Sequence, residues 1–426
     1  MSSSQLRLLS SRRLLGLFLA QFFGALNDNL LRNALIIQVA YRDTSSSSQL
    51  EIIVTIATAL FILPYFLFSA TAGQLADKFE KASLVSALKL WEIGVMALAG
   101  VALAFDSIGF GLATLFLAGV QAAFFGPVKY GILPELLAED DLLSGNAVIE
   151  AGTFLAILIG TIAGGVMVML DNGPAIVTAT VLVFAAGGWA VSLLIPRMGR
   201  AAPELRINPN IVAETWHVMR FASENPVVRW AILGNSWFWF VGVALVSQFP
   251  NYAKDVLGAD NQVVTLFLTM NSIGIGAGSL LAGRILHGAL TARLVPFSAL
   301  AMAIFAGDIW LVDGARQGTA LLDMGAFLAR PEHWRISLDL LAIALAAGIF
   351  VVPLYAIMQA RSELSRRARI VAANNVWNAL FMVGAGMGSA LMLKLGAGVT
   401  DIFLAIAAGN LVLGAATWHL RRQKES

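Results

Sequence analysis

Residues 52–81 read IIVTIATALFILPYFLFSATAGQLADKFEK, a charge-free apolar run to Ala70 that gives way to Gly73, Asp77, Lys78, Glu80 and Lys81. The apolar part is long enough to cross a bilayer core, which takes about 20 residues of helix. The polar end reads as a tight turn at Gly73. It is followed by a carboxylate, Asp77, that can pair with basic groups or helix N-termini on one membrane face. Comparable apolar runs occupy 142–170 and 340–358. Over 426 residues the chain is 58% hydrophobic and only 13% charged, against about a quarter charged in soluble domains. A soluble fold is excluded. The 39 glycines fit membrane helices that approach closely. With no cysteine and four scattered histidines, neither disulfides nor a metal cluster is expected. A net charge of +2 makes nucleic acid a poor partner.

Segmenting by apolar runs predicts spans at 13–40, 51–76, 83–105, 109–132, 144–170 and 174–195. After a polar connection the second set reads 227–252, 262–289, 292–313, 335–360, 368–395 and 399–420. The domains are therefore an N-terminal six-helix bundle (1–195), a cytoplasmic linker (196–226), a C-terminal six-helix bundle (227–420) and a tail (421–426). Arg12-Arg13 and the apolar run after them imitate a signal peptide, but no small-residue cleavage site follows and the segment is expected to be a retained first helix. Of the 28 Lys and Arg, twenty fall on the side of the even-numbered connections. Six (Arg42, Lys254, Arg316, Arg330, Arg335 and Lys394) fall opposite, and Arg32 and Lys89 lie within spans. The positive-inside rule places both termini in the cytoplasm. The fold class is an all-α integral membrane protein of about twelve transmembrane helices.

An internal repeat crosses the midpoint. Pro127-Val128-Lys129-Tyr130-Gly131-Ile132-Leu133 precedes Asn146-Ala147-Val148-Ile149-Glu150, as Pro353-Leu354-Tyr355-Ala356-Ile357-Met358 precedes Asn374-Asn375-Val376-Trp377-Asn378. Two related bundles around one central cavity are how many transporters build a midplane site.

Intramembrane charges mark candidate residues, because a charge at mid-membrane costs about 2.5–3.5 kcal/mol on insertion scales. The first span carries Gln21, Asn27, Asp28, Asn29, Arg32 and Asn33. Asp28 and Arg32, four apart, meet on one helix face as a cavity-facing group or as a self-satisfied structural pair. Lys89 and Glu92 leave the same choice open. Lys129 can bind a phosphate as a point charge and Glu150 a cationic amine, or both anchor helix ends. Asn146, Gln248, Asn374, Asn375 and Asn378 add neutral polar groups.

The 73–81 segment resembles the signature loop of the major facilitator superfamily, with Gly73, Asp77, Lys78 and Lys81 as a conformational latch. Its second-half counterpart, from Gly283-Arg284 to Arg293, is degenerate. Gln21-Phe22-Phe23-Gly24-Ala25-Leu26-Asn27-Asp28-Asn29, the segment 126–136, Asn146-Ala147-Val148-Ile149-Glu150 and Val351-Val352-Pro353-Leu354 resemble bacterial lysophospholipid transporters across essentially the whole chain. Trp237-Phe238-Trp239-Phe240 and Gln248-Phe249-Pro250-Asn251-Tyr252 are similar to forms fused to an acyltransferase and an acyl-carrier ligase. The resemblance implies an inner-membrane flippase that brings lysophosphatidylethanolamine from the outer to the inner leaflet for reacylation. It implies that Asp28 and Lys129 engage the head group. In one departure, Val246, with Ser247 and Gln248 beside it, stands where the family carries an arginine on the seventh helix. The sequence stops soon after Arg421-Arg422, so reacylation is expected to fall to a separate acyltransferase and acyl-carrier ligase or a longer parent protein.

The expected mechanism is alternating access by a monomer without a cofactor, surrounded by membrane lipids; no Gly-x-x-x-x-Gly-Lys loop is present for ATP. The rival reading is a proton-coupled major facilitator exporter of amphipathic drugs, with Asp28 and Glu150 as titrating groups. An integral-membrane acyltransferase would need a His with an Asp five residues on, and none of the four histidines has one. A non-transporting scaffold leaves the intramembrane charges without a purpose.

Overall fold

The structure, a computed structural model, describes residues 3–40, 47–311 and 321–418. Arg42, Arg316, His419 and the tail 421–426 lie outside the described residues. Twelve apolar helices follow one another: α1 (Arg12–Ala40), α2 (Ser47–Lys78), α3 (Lys81–Ala104), α4 (Ile108–Leu136), α5 (Glu139–Val168) and α6 (Gly173–Ser192). Then come α7 (Pro226–Asn251), α8 (Asn261–Ile285), α9 (Val295–Leu311), α10 (Pro331–Ala360), α11 (Arg367–Lys394) and α12 (Val399–Thr417). Eleven are long and apolar enough to span a membrane, and α9 is a shorter apolar helix. Among the described residues there are also three short α-helices, Ser3–Ser10 before α1, Ile211–Ala222 between α6 and α7, and Met324–Leu328 before α10, with a π-helical turn at Tyr252–Val256 and a 3-10 turn at Leu364–Arg366. Each of the twelve lies within a few residues of its expected span. The apolar runs place them, because a backbone in lipid must satisfy its own hydrogen bonds.

The first six helices pack as α1 on α5, α2 on α4 and α3 on α6. The same pairings recur as α7 on α11, α8 on α10 and α9 on α12. The two sets meet through α2 against α11 and α5 against α8, with α4–α11 and α10–α5 contacts beside them. Exchanging the sets maps each of these contacts onto its partner, the pseudo-two-fold relation that the repeat at 127–150 and 353–378 foreshadows. Small residues set the closest crossings. A Cβ at Gly160 or Gly164 of α5 would lie 2.4 Å from Leu26 O or 2.2 Å from Leu30 O of α1. Van der Waals contact between backbones holds such helices together where lipid removes the hydrophobic drive.

Candidate functional site

In the polar stretch of α1 every side chain but Asp28 has a hydrogen-bond partner among the described residues, though Asn27 Oδ1 is left without one. Asn27, fully buried, donates to Glu92 Oε1 at 3.0 Å and to Val181 O at 3.2 Å. Gln21 donates to Ile149 O at 3.2 Å and accepts from Thr153 at 2.9 Å. Glu92 also takes the Lys89 ammonium at 2.6 Å and Gln121 Nε2 at 3.3 Å. Lys89 in turn lies over the Phe125 ring at 4.7 Å. Of the two readings for Lys89 and Glu92, the structural one holds: they form a buried network joining α1, α3 and α4. Packing leaves little room there, since a Cβ at Gly24 would lie 2.4 Å from Lys89 Nζ.

Asp28 and Arg32 do not form the pair that their spacing allows. Arg32 donates to Asn29 Oδ1 at 2.7 Å and lies 5.7 Å from the Phe61 ring centroid. Asn29 is held by Ala25 O at 2.7 Å. Asp28, half-buried, has neither an ion pair nor a hydrogen bond among the described residues. Arg32, Lys89 and Glu92 lie within its electrostatic reach.

Lys129, on α4, is the matching cation. Its ammonium sits 4.3 Å from the Tyr130 ring centroid and has no anionic or hydrogen-bonding partner among the described residues. Pro127 precedes it in the helix, as Pro353 precedes Tyr355 in α10. The repeat thereby brings two rings together across the bundles, for Tyr130 and Tyr355 stack at 4.7 Å and 7°. Glu150, 1% exposed, accepts a hydrogen bond from the Tyr130 hydroxyl, so its carboxylate is already engaged. Tyr355 accepts from Trp239 Nε1 at 3.3 Å. Asn374 and Asn378 lie alongside, bonded to Asn235 at 3.2 Å and to Ser236 at 2.9 Å.

Two expected residues sit elsewhere. Asn146 is fully buried in a reciprocal amide pair with Gln359 of α10, at 2.8 and 3.0 Å, and closes the bundles together. Gln248 lies near the C-terminal end of α7, its carboxamide shared with Ser247 at 3.1 Å and Asn251 at 3.4 Å, far along the helix from Asn235. Val246 is half-buried on the same segment.

The loop residues form a cross-bundle clasp. Asp77 accepts from Ala368 N at 2.9 Å, Arg369 N at 3.3 Å and Arg369 Nε at 3.0 Å, which caps the N-terminus of α11 with a charge of favourable sign. The expected turn at Gly73 is corrected: α2 runs on to Lys78. Glycine is needed because a Cβ there would stand 2.8 Å from Arg369 Cα. Lys81 stays within its own bundle, paired with Glu135 at 2.7 Å. Lys78 lies over Phe79 at 6.0 Å. Glu80 caps α3 through Ala82 N and Ser83 N and also takes Met198 N at 3.0 Å. Burial works against its charge, but the hydrogen bonds from Ser83, Met198 and Ala82 outweigh it and hold the carboxyl below its ordinary value.

At the related seam, the degenerate loop leaves Gly283 of α8 against α5, and the helix Ser3–Ser10 fills in. Gln5, fully buried, donates to Leu280 O at 2.8 Å. Arg7 pairs with Asp141 at 2.8 Å. Sequence reasoning missed Gln5, Arg369, Gln359 and Tyr355 as groups that cross between the bundles, and Asn235 as the partner of Asn374 within the second bundle. Of these only Tyr355 carried a signal, its place in the repeat.

Two six-helix sets joined by buried cross-contacts, with one anion and one cation left unpaired among the described residues, have the architecture of a membrane transporter. Residues 17–386 match the Major Facilitator Superfamily, and the chain belongs to that family. Lysophospholipid transporter LplT of Serratia proteamaculans is 31% identical over 396 residues, 91% of this chain and 88% of that one. The protein of the same name from Cronobacter sakazakii is 30% identical over 391 residues, with the same coverage. Among solved structures, the human organic anion transporter MFSD10 superposes with a TM-score of 0.77 at 13% identity, covering 95% of this chain and 98% of that one. FucP in its outward conformation gives 0.68 at 14% identity, covering 96% and 98%.

Proposed function

We propose that the chain carries lysophosphatidylethanolamine from the outer to the inner leaflet of a bacterial inner membrane by alternating access. The bundles 1–195 and 227–420, joined by 196–226 and with both termini cytoplasmic, rock about the cavity between them. Asp28 receives the ammonium of the head group and Lys129 its phosphate, while the single acyl chain stays among apolar side chains. An acyltransferase and an acyl-carrier ligase, separate or joined to this chain in a longer protein, consume the delivered lipid. The conformation described here, clasped at Asp77 and at Asn146, is closed toward the cytoplasm.

The observation that carries this reading is the contrast in pairing. Lys81, Lys89, Glu92, Asp77 and Glu150 each have a partner, whereas Asp28 and Lys129 have none among the described residues. Opposite charges kept apart match a zwitterion that brings both countercharges itself. The names of the relatives point to the same class of substrate.

The test is uptake of labelled lysophosphatidylethanolamine by spheroplasts lacking their own transporter. Asp28→Asn and Lys129→Ala are each expected to lower uptake about tenfold or more, since a charge-assisted contact contributes about 1.5–3 kcal/mol. Uptake is expected to survive an uncoupler. Uptake abolished by the uncoupler but indifferent to both substitutions favours a proton-coupled exporter of amphipathic compounds.

A further inference from the structure

Eight side-chain atoms among the described residues are buried without a hydrogen-bond partner, and Asn235 Oδ1 and Asn374 Nδ2 are two that belong to one contact. Both residues are fully buried. They meet once, Asn235 Nδ2 donating to Asn374 Oδ1 at 3.2 Å. Asn146 and Gln359 show what a complete amide pair looks like, with bonds in both directions at 2.8 and 3.0 Å. The Asn235–Asn374 pair thus keeps one acceptor and one donor in reserve. The Tyr355 hydroxyl approaches Asn374 and Asn378, but its well-formed bond comes from Trp239 Nε1 at 3.3 Å. Asn375, the next residue on α11, also has an unpartnered Nδ2, turned toward Gly126, three residues before Lys129 on α4.

The position and chemistry of these atoms identify what they can take. A phosphate only accepts and an ammonium only donates, whereas a hydroxyl does both through one oxygen. Leaving a buried amide atom unmatched costs about 1–3 kcal/mol, so a site of this kind favours whatever completes it. Lys129 lies over Tyr130, Tyr130 stacks on Tyr355, and Tyr355 lies beside Asn374, so the phosphate-binding cation and the asparagines flank one pair of stacked rings. Resting on the proposed function, we infer that Asn235 and Asn374, with Asn375 beside them, form a subsite for the free glycerol hydroxyl that a one-chain phospholipid has and its two-chain parent lacks. The subsite is shut here by the Tyr130–Tyr355 stack and opens when the bundles part. An esterified oxygen cannot donate, so the subsite discriminates against a second acyl chain by chemistry as well as by size.

The experiment compares uptake of 1-palmitoyl lysophosphatidylethanolamine with that of the analogue carrying hydrogen in place of the glycerol 2-hydroxyl. The wild-type protein is expected to prefer the hydroxyl form about tenfold, the value of one net hydrogen bond of about 1.4 kcal/mol. In the double variant Asn235→Leu with Asn374→Leu, which removes both polar partners together, the ratio is expected to fall to near one. Equal uptake of the two lipids by the wild type overturns the subsite while leaving lysophospholipid transport in place; it is also the result if water alone completes the asparagines. A ratio that persists in the double variant overturns it as well. Uptake of neither lipid by the wild type overturns the transport reading itself, and the subsite with it.

Discussion

Arg32 shows how a neighbour on the same helix face can be the wrong partner. Its guanidinium takes Asn29 and the Phe61 ring, which leaves Asp28 open. Arg32→Gln is therefore expected to reduce lysophospholipid uptake less than Asp28→Asn does, measured side by side in the same spheroplasts. Glu80, outside the spans, gives a pH dependence. Its carboxyl is held below the ordinary value by the bonds from Ser83, Met198 and Ala82. The stability it contributes is full above the unfolded carboxylate value and is lost as pH falls through the depressed one. Hydrogen exchange at the Met198 and Ser83 amides is expected to accelerate only on strong acidification, and to do so at neutral pH in Glu80→Gln. Asp28 and Lys129 stood out in the sequence because a charge inside an apolar run is expensive wherever it lies. Their lack of partners did not, for that depends on which rotamer each neighbour chooses. Gln359 and Arg369 were invisible for a related reason: they meet Asn146 and Asp77 more than 200 residues away in sequence.

Helix positions were legible almost residue by residue, since apolar runs between charged breaks have one reading in lipid. What the pattern misjudged was the end of α2. A glycine followed by charges suggests a turn, but the backbone stays helical through Gly73 because α11 crosses there and needs the missing side chain. Gly73→Val is expected to force α2 and α11 apart and weaken the closed form. Asn146→Ala, which strands the buried Gln359 amide, is expected to cost the closed form about 1–3 kcal/mol. Spin labels at Glu204→Cys and Leu364→Cys, both exposed, would report either change as a longer distance; the chain has no native cysteine to remove. An unchanged distance distribution in both variants would show that neither contact holds the bundles together.

At the scale of the molecule, the pseudo-two-fold is kept in the helix packing and broken in the seals. The α2–α11 seam is closed by Asp77 and Arg369, whose side chains are 0% and 11% exposed. The α5–α8 seam relies on the helix Ser3–Ser10, which among the described residues is tied by the ion pair of Arg7 with Asp141, 69% and 25% exposed. Exposed pairs are screened by salt and buried ones far less. Rising ionic strength is therefore expected to raise proteolytic cleavage near Arg7 while leaving the spacing across Asp77 unchanged, and Arg7→Gln is expected to remove that salt effect. A lipid leaving sideways would meet one door bolted by charge and another held by a detachable strap. Two exits related by symmetry would then differ in traffic, with the salt concentration around them acting on only one.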